Sequence, residues 1–428
     1  MKKGIFILLV FACVIFFVSA GHKAYGAGFT VNTQGATSLG QANSVIAHTD
    51  DPSSVFFNPA LTNKLDRTQI EIGTTLISPS TEFRSDATGR DFEIKDDQFY
   101  PSILFITHKL SDKLSAGLGV FSNFGLSTDW GKTWEGRYIA TKTELKTYTV
   151  NPVVSVQVIP DVYLAAGIDV LFLNAELKNK ILNLSALGLP DIAQKLEGDD
   201  TAIGFNLGML VDLSKDISLG LAYRSAFKID INGDVTHNFP NGVKSVVGPL
   251  FPDTGAQISI RLPAQANLGI AYKGLKPLTI EIGGRWEGWS SFDELKIKTS
   301  ELIAGNNEII MPKEWKDIYS FNIGARYQVT NSVGLLAGYI YENGPIPDKT
   351  FDPSVPDNGS SMYCVGADYR YKNFMFGIAY DYQEVRPRNK NNAIDDNSLD
   401  SVVNPTTSAN GTYKTHLHIV SASITYVF

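Results

Sequence analysis

Along most of this chain apolar and polar residues alternate one for one. In the last segment His418, Val420, Ala422, Ile424, Tyr426 and Phe428 share one parity, while Ile419, Ser421, Ser423, Thr425 and Val427 share the other. A period of two places successive side chains on opposite faces of a β-strand. The same pattern sets Phe374, Phe376, Ile378, Tyr380 and Tyr382 against Met375, Gly377, Ala379, Asp381 and Gln383, and Tyr319, Phe321 and Ile323 against Ser320, Asn322 and Gly324. It recurs in Leu278, Ile280 and Ile282 against Thr279, Glu281 and Gly283. One face is apolar and aromatic; the other is small, hydroxylated or charged.

A soluble β-sandwich also alternates, but it turns its apolar face into a shared interior. A transmembrane barrel presents that face to lipid and lines its lumen with the polar one, in strands of about 9–11 residues. Tyr, Phe and Trp gather at strand ends, as in aromatic girdles, and a single sandwich of about 400 residues would be unusual. The pattern therefore predicts an all-β fold, a transmembrane antiparallel β-barrel of about fourteen strands. They fall near 68–78, 98–110, 114–125, 143–160, 161–177, 200–213, 216–235, 257–273, 277–291, 316–329, 332–343, 359–371, 373–386 and 413–428. Tight links such as 213–216, 330–332 and 372–373 alternate with long ones at 126–142, 178–199, 236–256, 292–315, 344–358 and 387–412. Short turns on one rim and long loops on the other are the outer-membrane arrangement.

The first residues give the destination. Lys2 and Lys3 precede an uncharged run, Ile5 to Val18, that ends in the small residues Ser19, Ala20 and Gly21. This reads as a signal peptide over 1–26, too short for a spanning helix, which needs about 20 apolar residues. Its removal takes away Lys2, Lys3 and Lys23 and no acid, leaving 37 − 3 = 34 basic against 44 acidic residues, net −10. That balance argues against nucleic acid as a partner. Of the two cysteines, Cys13 falls in the signal segment, so Cys364 has no mate for an internal disulfide. With a mean hydropathy of −0.04, the chain is unlike a helical membrane protein.

Before the first strand lies AGFTVNTQGATSLGQANSVIAHTDDPSSVFFNPALTNKL, residues 27–65. Its Ala27-Gly28-Phe29, Gly35-Ala36 with Leu39-Gly40, Asp50 or Asp51, and Asn58-Pro59-Ala60 are followed, in order, by SNFGLSTDW (122–130), YRSAFKIDINGD (223–234), RLPAQANLGIAY (261–272), WSSFDELKI (289–297), EWKDIYSFNIGARY (314–327) and a terminal ITYVF. Together these pieces resemble the outer-membrane long-chain fatty acid and aromatic hydrocarbon transporter family (FadL/TodX-like, OMPP1) over essentially the whole mature chain. The resemblance implies a bacterial outer-membrane barrel, 66–428, whose N-terminal segment, 27–65, forms a hatch in the lumen. It also implies capture of a hydrophobic ligand by extracellular loops, a tighter lumen site, and sideways exit at an inward-kinked third strand. Glycines that permit close backbone approach and prolines that fix φ suit a compact irregular plug. Non-helical backbone at membrane depth must be buried in protein or face a cavity.

Capture candidates are Phe124, Leu126, Trp130 and Trp134 around loop 126–142, and Leu184, Leu187, Ile192 and Leu196 in 178–199. The apolar spacing around Pro190 suggests a broken amphipathic helical pair there. Arg224, Arg285, Arg326 and Arg386 are lumen candidates for gripping a carboxylate. Hatch and side-gate candidates are Phe56, Phe57, Asn58, Pro59 and Ala60 with Gly117 and Gly119, glycines within a strand marking bends. The third strand is expected to leave the wall beside Asn58-Pro59-Ala60.

No catalytic residues, metal site or cofactor are assigned. Asp50-Asp51, Asp199-Asp200 and Asp395-Asp396 lie in turn-like stretches with no His or Lys at a useful spacing, and His416 and His418 read as interfacial. No phosphate loop, Cys-x-x-Cys or His-Glu-x-x-His motif occurs. The expected partners are a hydrophobic ligand, fatty acid or hydrocarbon, and the surrounding outer-membrane lipid and lipopolysaccharide, with the chain a monomer. A general porin and an outer-membrane lipid hydrolase stay open as other classes.

Overall fold

The computed structural model of the chain describes residues 28–49, 51–95, 98–182, 189–394 and 406–428. The signal segment 1–26 lies outside them. The strands close into a 14-stranded antiparallel barrel. Its first half comprises β1 (Thr68–Ser85), β2 (Ser102–Ser111), β3 (Leu114–Phe121 and Gly125–Asp129), β4 (Lys142–Ile159), β5 (Val162–Leu182), β6 (Ile192–Asp212) and β7 (Ile217–Arg224 and Phe227–Asn238). The second half comprises β8 (Thr254–Leu262 and Gln265–Leu275), β9 (Leu278–Glu287 and Glu294–Ile303), β10 (Asn306–Pro312 and Ile318–Gln328), β11 (Val333–Asn343), β12 (Gly359–Tyr371), β13 (Phe374–Lys390) and β14 (Gly411–Val427). Register from Gln69↔Val427 to Ser85↔Gly411 joins β1 to β14 and closes the wall.

The parity read from the sequence points as a lipid-facing barrel requires. Phe321 is 68% and Ile282 60% exposed on the outside, while Glu281, Asp368 and Asp381 are buried inside. Aromatics mark both rims of the outer surface. Phe374, Tyr426 and Phe428 touch at the short-turn end. Tyr339, Tyr363 and Tyr382 form a row across β11–β13 nearer the long-loop end.

Two expectations fail in the connections. The stretch 292–315 is not a loop: Glu294–Ile303 and Asn306–Pro312 form a hairpin that lengthens β9 and β10. Ala304 and Gly305, both at positive φ (48° and 88°), make its two-residue turn. Its outward lysines disguised it as loop, although Ile297 and Ile303 turn inward and are buried. Nor is 178–199 a helical pair where it is described. β5 runs on to Leu182 and β6 begins at Ile192, each 21 residues long, about 70 Å if fully extended. Residues four apart share a face in a strand as well as in a helix, so Ile192 and Leu196 could not discriminate between the two. Leu184 and Leu187 lie outside the described residues, as does Asp395-Asp396.

Candidate functional site

Residues 28–49 and 51–65 pack against lumen-facing residues of the wall. Short helices α1 (Ala36–Gly40) and α2 (Ser54–Phe57) and a 3-10 turn, Pro59–Lys64, connect irregular backbone that presses on the inner wall. The wall meets it with glycine. Any Cβ on Gly220 or Gly324 would collide with the carbonyl oxygens of Ile46 and Gln41. One on Gly338 would lie 2.6 Å from Ala42 Cβ, one on Gly269 2.8 Å from Ile46 Cβ, and one on Gly208 2.9 Å from Pro59 Cδ. Gly366 and Gly377 stand likewise against Gly40 and Ala36. Strands β6–β8 and β10–β13 thus omit side chains where the N-terminal segment crosses them.

On β9, between these glycines, stands Glu281. It accepts from the amides of Ile46 (2.5 Å) and Ala47 (2.9 Å) and bonds His48 Nδ1 (2.7 Å). These buried N–H groups belong to no helix or sheet, and the carboxylate supplies the partner they need. Asn58 Nδ2 donates to Ile46 O and to Met209 O of β6, while its Oδ1 caps Ala60 N. Arg224 pairs with Asp169 and lies over the rings of Phe56 and Phe121, 5.1 Å from each centroid. Phe56 in turn meets Phe57 edge-on. Arg285 joins Glu287, Glu342 and Asn32.

Above this collar, toward the long loops, β3 leaves the wall. From Leu114 to Phe121 it pairs with β4, and through Val120 it also pairs with β2; at Ser122–Phe124 it turns inward. The freed backbone is taken up by the N-terminal segment: Val31 N donates to Asn123 O (3.0 Å) and Gly125 N to Phe29 O (2.9 Å). Thr147 Oγ1 bonds both the N–H and the C=O of Phe124. Beyond the turn, β4 is the one strand that forms a ladder with Gly125–Asp129 among the described residues, and Lys95 N donates to Asp129 O (2.8 Å) at the far end. Among the described residues no ladder joins this half of β3 to residues 99–101 ahead of β2, which leaves a gap in the wall there.

A cavity of about 320 Å³ leads to this opening. Its inner end is formed by Leu39, Met362, Leu417 and Ile419, its middle by Phe29, Phe124, Leu126 and Ile77, and its outer end by Phe99, Tyr100, Pro101 and Tyr148. Tyr100 and Tyr148 are more than half exposed on the outside of the barrel, so the lining of the cavity reaches the outer surface. Phe29 is held in place by Trp289 (4.5 Å), Trp315 (5.7 Å) and Phe124 (6.3 Å). Gly28 beside it has φ 67°, and a Cβ there would press on both indoles at 3.1 Å. Gly28 N donates to Asp357 Oδ2 at 2.9 Å, and burial raises that carboxyl to about 6 against the opposing pull of this amide and Arg388.

At the short-turn mouth is a second cavity, about 610 Å³, lined by Lys64, Asp212, Lys215, Lys273 and Arg326 among others. It shares no lining residue with the first; the N-terminal segment lies between them.

The structure distributes the candidates unevenly. Phe124 and Leu126 line the apolar cavity. Trp130 and Trp134 do not: they stack at 4.5 Å, are 4% and 2% exposed, and donate to Pro353 O and Ala140 O. Leu196 faces the interior, and Ile192 packs with Val243 beside Leu189, Phe239 and Val247. None of the four arginines lines the apolar cavity. Arg224 and Arg285 are paired as above, Arg326 pairs with Asp368 at 2.7 Å, and Arg386 lies half-buried by the β13 bulge. Gly117 and Gly119 sit in unbroken ladder, and Asn58-Pro59-Ala60 rests against Gly208 and Ser155. The departure of β3 is thus at Ser122–Phe124, beside Phe29–Val31, and not at those glycines or beside that tripeptide. Polar Ser122-Asn123 before Gly125 was its local signal, whereas the glycines had to be small for Val55, Val153 and Phe105.

Residues 17–428 match the family described as outer membrane protein transport protein (OMPP1/FadL/TodX). Among curated relatives, a long-chain fatty acid transport protein of Escherichia coli is 26% identical over 404 residues, covering 86% of this chain and 89% of that one. A 47 kDa outer membrane protein of Pasteurella multocida is 24% identical, covering 82% and 85%. Among solved structures, a Pseudomonas aeruginosa FadL homologue superposes with a TM-score of 0.81 at 21% identity, over 94% of this chain and 100% of that one. The Pseudomonas putida toluene transporter TodX gives 0.70 at 16%, over 92% and 97%.

Proposed function

The chain belongs to the outer membrane protein transport protein family (OMPP1/FadL/TodX), and from that premise we propose a route by which it admits hydrophobic small molecules across the bacterial outer membrane. An apolar molecule enters from the long-loop side, occupies the cavity beneath Phe29 and Phe124, and leaves sideways into the membrane between residues 99–101 and the outer half of β3. The observation that carries this reading is the continuity of the apolar cavity with the gap in the wall. The energetics favour it. An alkyl chain released into lipid keeps the roughly 0.8 kcal/mol per methylene that it would lose in water. Fatty acids are the leading ligand class by analogy with the named relatives, and aromatic hydrocarbons the second.

Residues 27–65 act in this proposal as a fixed hatch. Support comes from the glycine collar and the bonds to Glu281 and Asn58, which tie the segment to most of the wall. The barrel works as a monomer surrounded by lipid and lipopolysaccharide, its β1 and β14 edges being spent on each other. No catalytic step is part of the function.

The test bridges the gap. In a Cys364→Ser background, Tyr100→Cys and Leu126→Cys are joined by a bifunctional maleimide. Uptake of a labelled apolar ligand should stop while ligand binding to the purified protein persists. Uptake at the unbridged rate through a fully linked protein sinks the lateral route.

A further inference from the structure

The inner end of the apolar cavity carries one chemical group that the barrel itself does not use. Asp381, on the lumen face of β13, is 1% exposed and lines the cavity beside Leu39, Met362 and Ile419. Its Oδ1 is reached by Cys364 Sγ at 3.5 Å, and its Oδ2 has no hydrogen-bond partner among the described residues. A buried carboxyl oxygen left unbonded is costly unless something that enters the cavity bonds it.

Several other polar groups of the cavity are committed. Thr81 and Thr415 bond each other, Gln383 donates to Ser360, Asp357 holds Gly28, and Lys146 pairs with Glu144 at the outer mouth. Thr33 Oγ1 also lines the cavity without a partner, but a hydroxyl turns to donate or accept and so does not discriminate. The charges around the cavity are Glu144, Lys146, Asp357 and Asp381, three carboxyl groups to one ammonium. Arg224, Arg285 and Arg326 are spent on acids elsewhere.

Resting on the reading of this cavity as the ligand site, we infer that it takes an apolar molecule ending in an uncharged hydrogen-bond donor, a hydroxyl above all, which donates to Asp381 Oδ2. An ionised carboxylate in the same place would face another carboxyl group with no cation to balance it, so a fatty acid fits there as the neutral acid, whose O–H donates in the same way. A pure hydrocarbon would fill the space and leave Oδ2 unbonded. A hydroxyl satisfies the oxygen at the inner end and leaves the chain along Phe29, Phe124 and Leu126 toward the gap.

The experiment uses purified full-length mature barrel with an environment-sensitive apolar dye bound in the cavity, displaced by decanol, decane or decanoate at neutral pH. Decanol should displace at a concentration about tenfold below that of either competitor, the scale of one buried polar group gaining its partner. Asp381→Leu should erase the alcohol's advantage and leave decane unchanged. Asp381→Asn, which keeps an acceptor, should retain most of it and improve decanoate. Heat-modifiable gel migration confirms that each variant is a folded barrel. Decanoate equal to decanol in the wild type, or an undiminished alcohol preference in Asp381→Leu, overturns the assignment while leaving the cavity as a ligand site. Failure of all three to displace the dye overturns the cavity reading and this inference together.

Discussion

The two cavities on either side of the N-terminal segment differ in almost every respect. The one toward the long loops is apolar, aromatic and open through the side of the wall. The one toward the short turns is larger, polar and rimmed by Lys64, Lys215, Lys273 and Arg326. A hydrophobic molecule gains from the first and gains nothing from the second. Between them the chain places its densest set of close contacts: backbone against glycine, amides against Glu281, Asn58 against β6. Across the axis, backbone meets glycine at close range, whereas between the outer half of β3 and residues 99–101 no ladder joins the described residues. Membrane barrels otherwise satisfy every strand edge, so an opening beside an apolar cavity is where a ligand that avoids water would leave.

Breaking the seal should have the largest consequence. Arg224→Ala leaves Asp169 buried without a cation, with only Asn206 Nδ2, among the described residues, still donating to it, and removes the cation from Phe56 and Phe121, a loss on the order of 3–5 kcal/mol. Thermal unfolding should shift down sharply, and planar-bilayer conductance should rise as the segment loosens. Gly324→Val drives side-chain atoms into the Gln41 carbonyl and should cost about 1–3 kcal/mol by overpacking. It too should raise conductance; an unaltered, fully closed barrel would show that the glycine collar is incidental. Glu281→Gln keeps an acceptor for only one of the two amides, Ile46 or Ala47, which bond different carboxylate oxygens, and changes the bond to His48. Its expected cost, about 1 kcal/mol, should appear as a modest loss of stability with uptake retained.

The smallest effect concerns pH. Burial raises Asp357 to about 6, so the folded protein holds this proton more tightly than the unfolded chain does. Its contribution to stability is full below the ordinary carboxylate value and fades as pH rises through about 6. Fluorescence of Trp289 and Trp315, which enclose Phe29 next to Gly28, should change across that range. Asp357→Asn should abolish the change; persistence in that variant would assign it to another group.

Much of the architecture was legible because a barrel writes its period on every strand. Strand number, even count, outward face and loop asymmetry all follow from alternation. Strand length was not legible. Above the membrane the outer face of β4–β6 meets water, and Lys142, Glu144, Glu176, Lys178 and Lys195 pair across it, so charge there resembles loop. Phe124, Leu126, Trp130 and Trp134 carry the same signal, an apolar residue beside a turn, yet the first two line the apolar cavity and the last two stack and pack away from it. The pairing of Arg224, Arg285 and Arg326 was not legible, because each acid stands on another strand. Asp381 was visible on the polar face of β13, but its isolation depends on Cys364 and Ile419 standing opposite it, a matter of register.

The central claim is that the N-terminal segment stays in place while ligand passes, and Cys364 offers a direct means to test it. Ala42 packs against Cys364 in a small buried cluster with Ile340 and Met362, so Ala42→Cys places a second thiol beside the native one. Oxidation to the disulfide, verified by mass spectrometry, pins the segment to β12. Uptake of a labelled apolar ligand by cells carrying the oxidised protein should match that of the reduced form. Uptake that stops on oxidation and returns with reductant would mean that the segment must move and that the ligand takes the axial route.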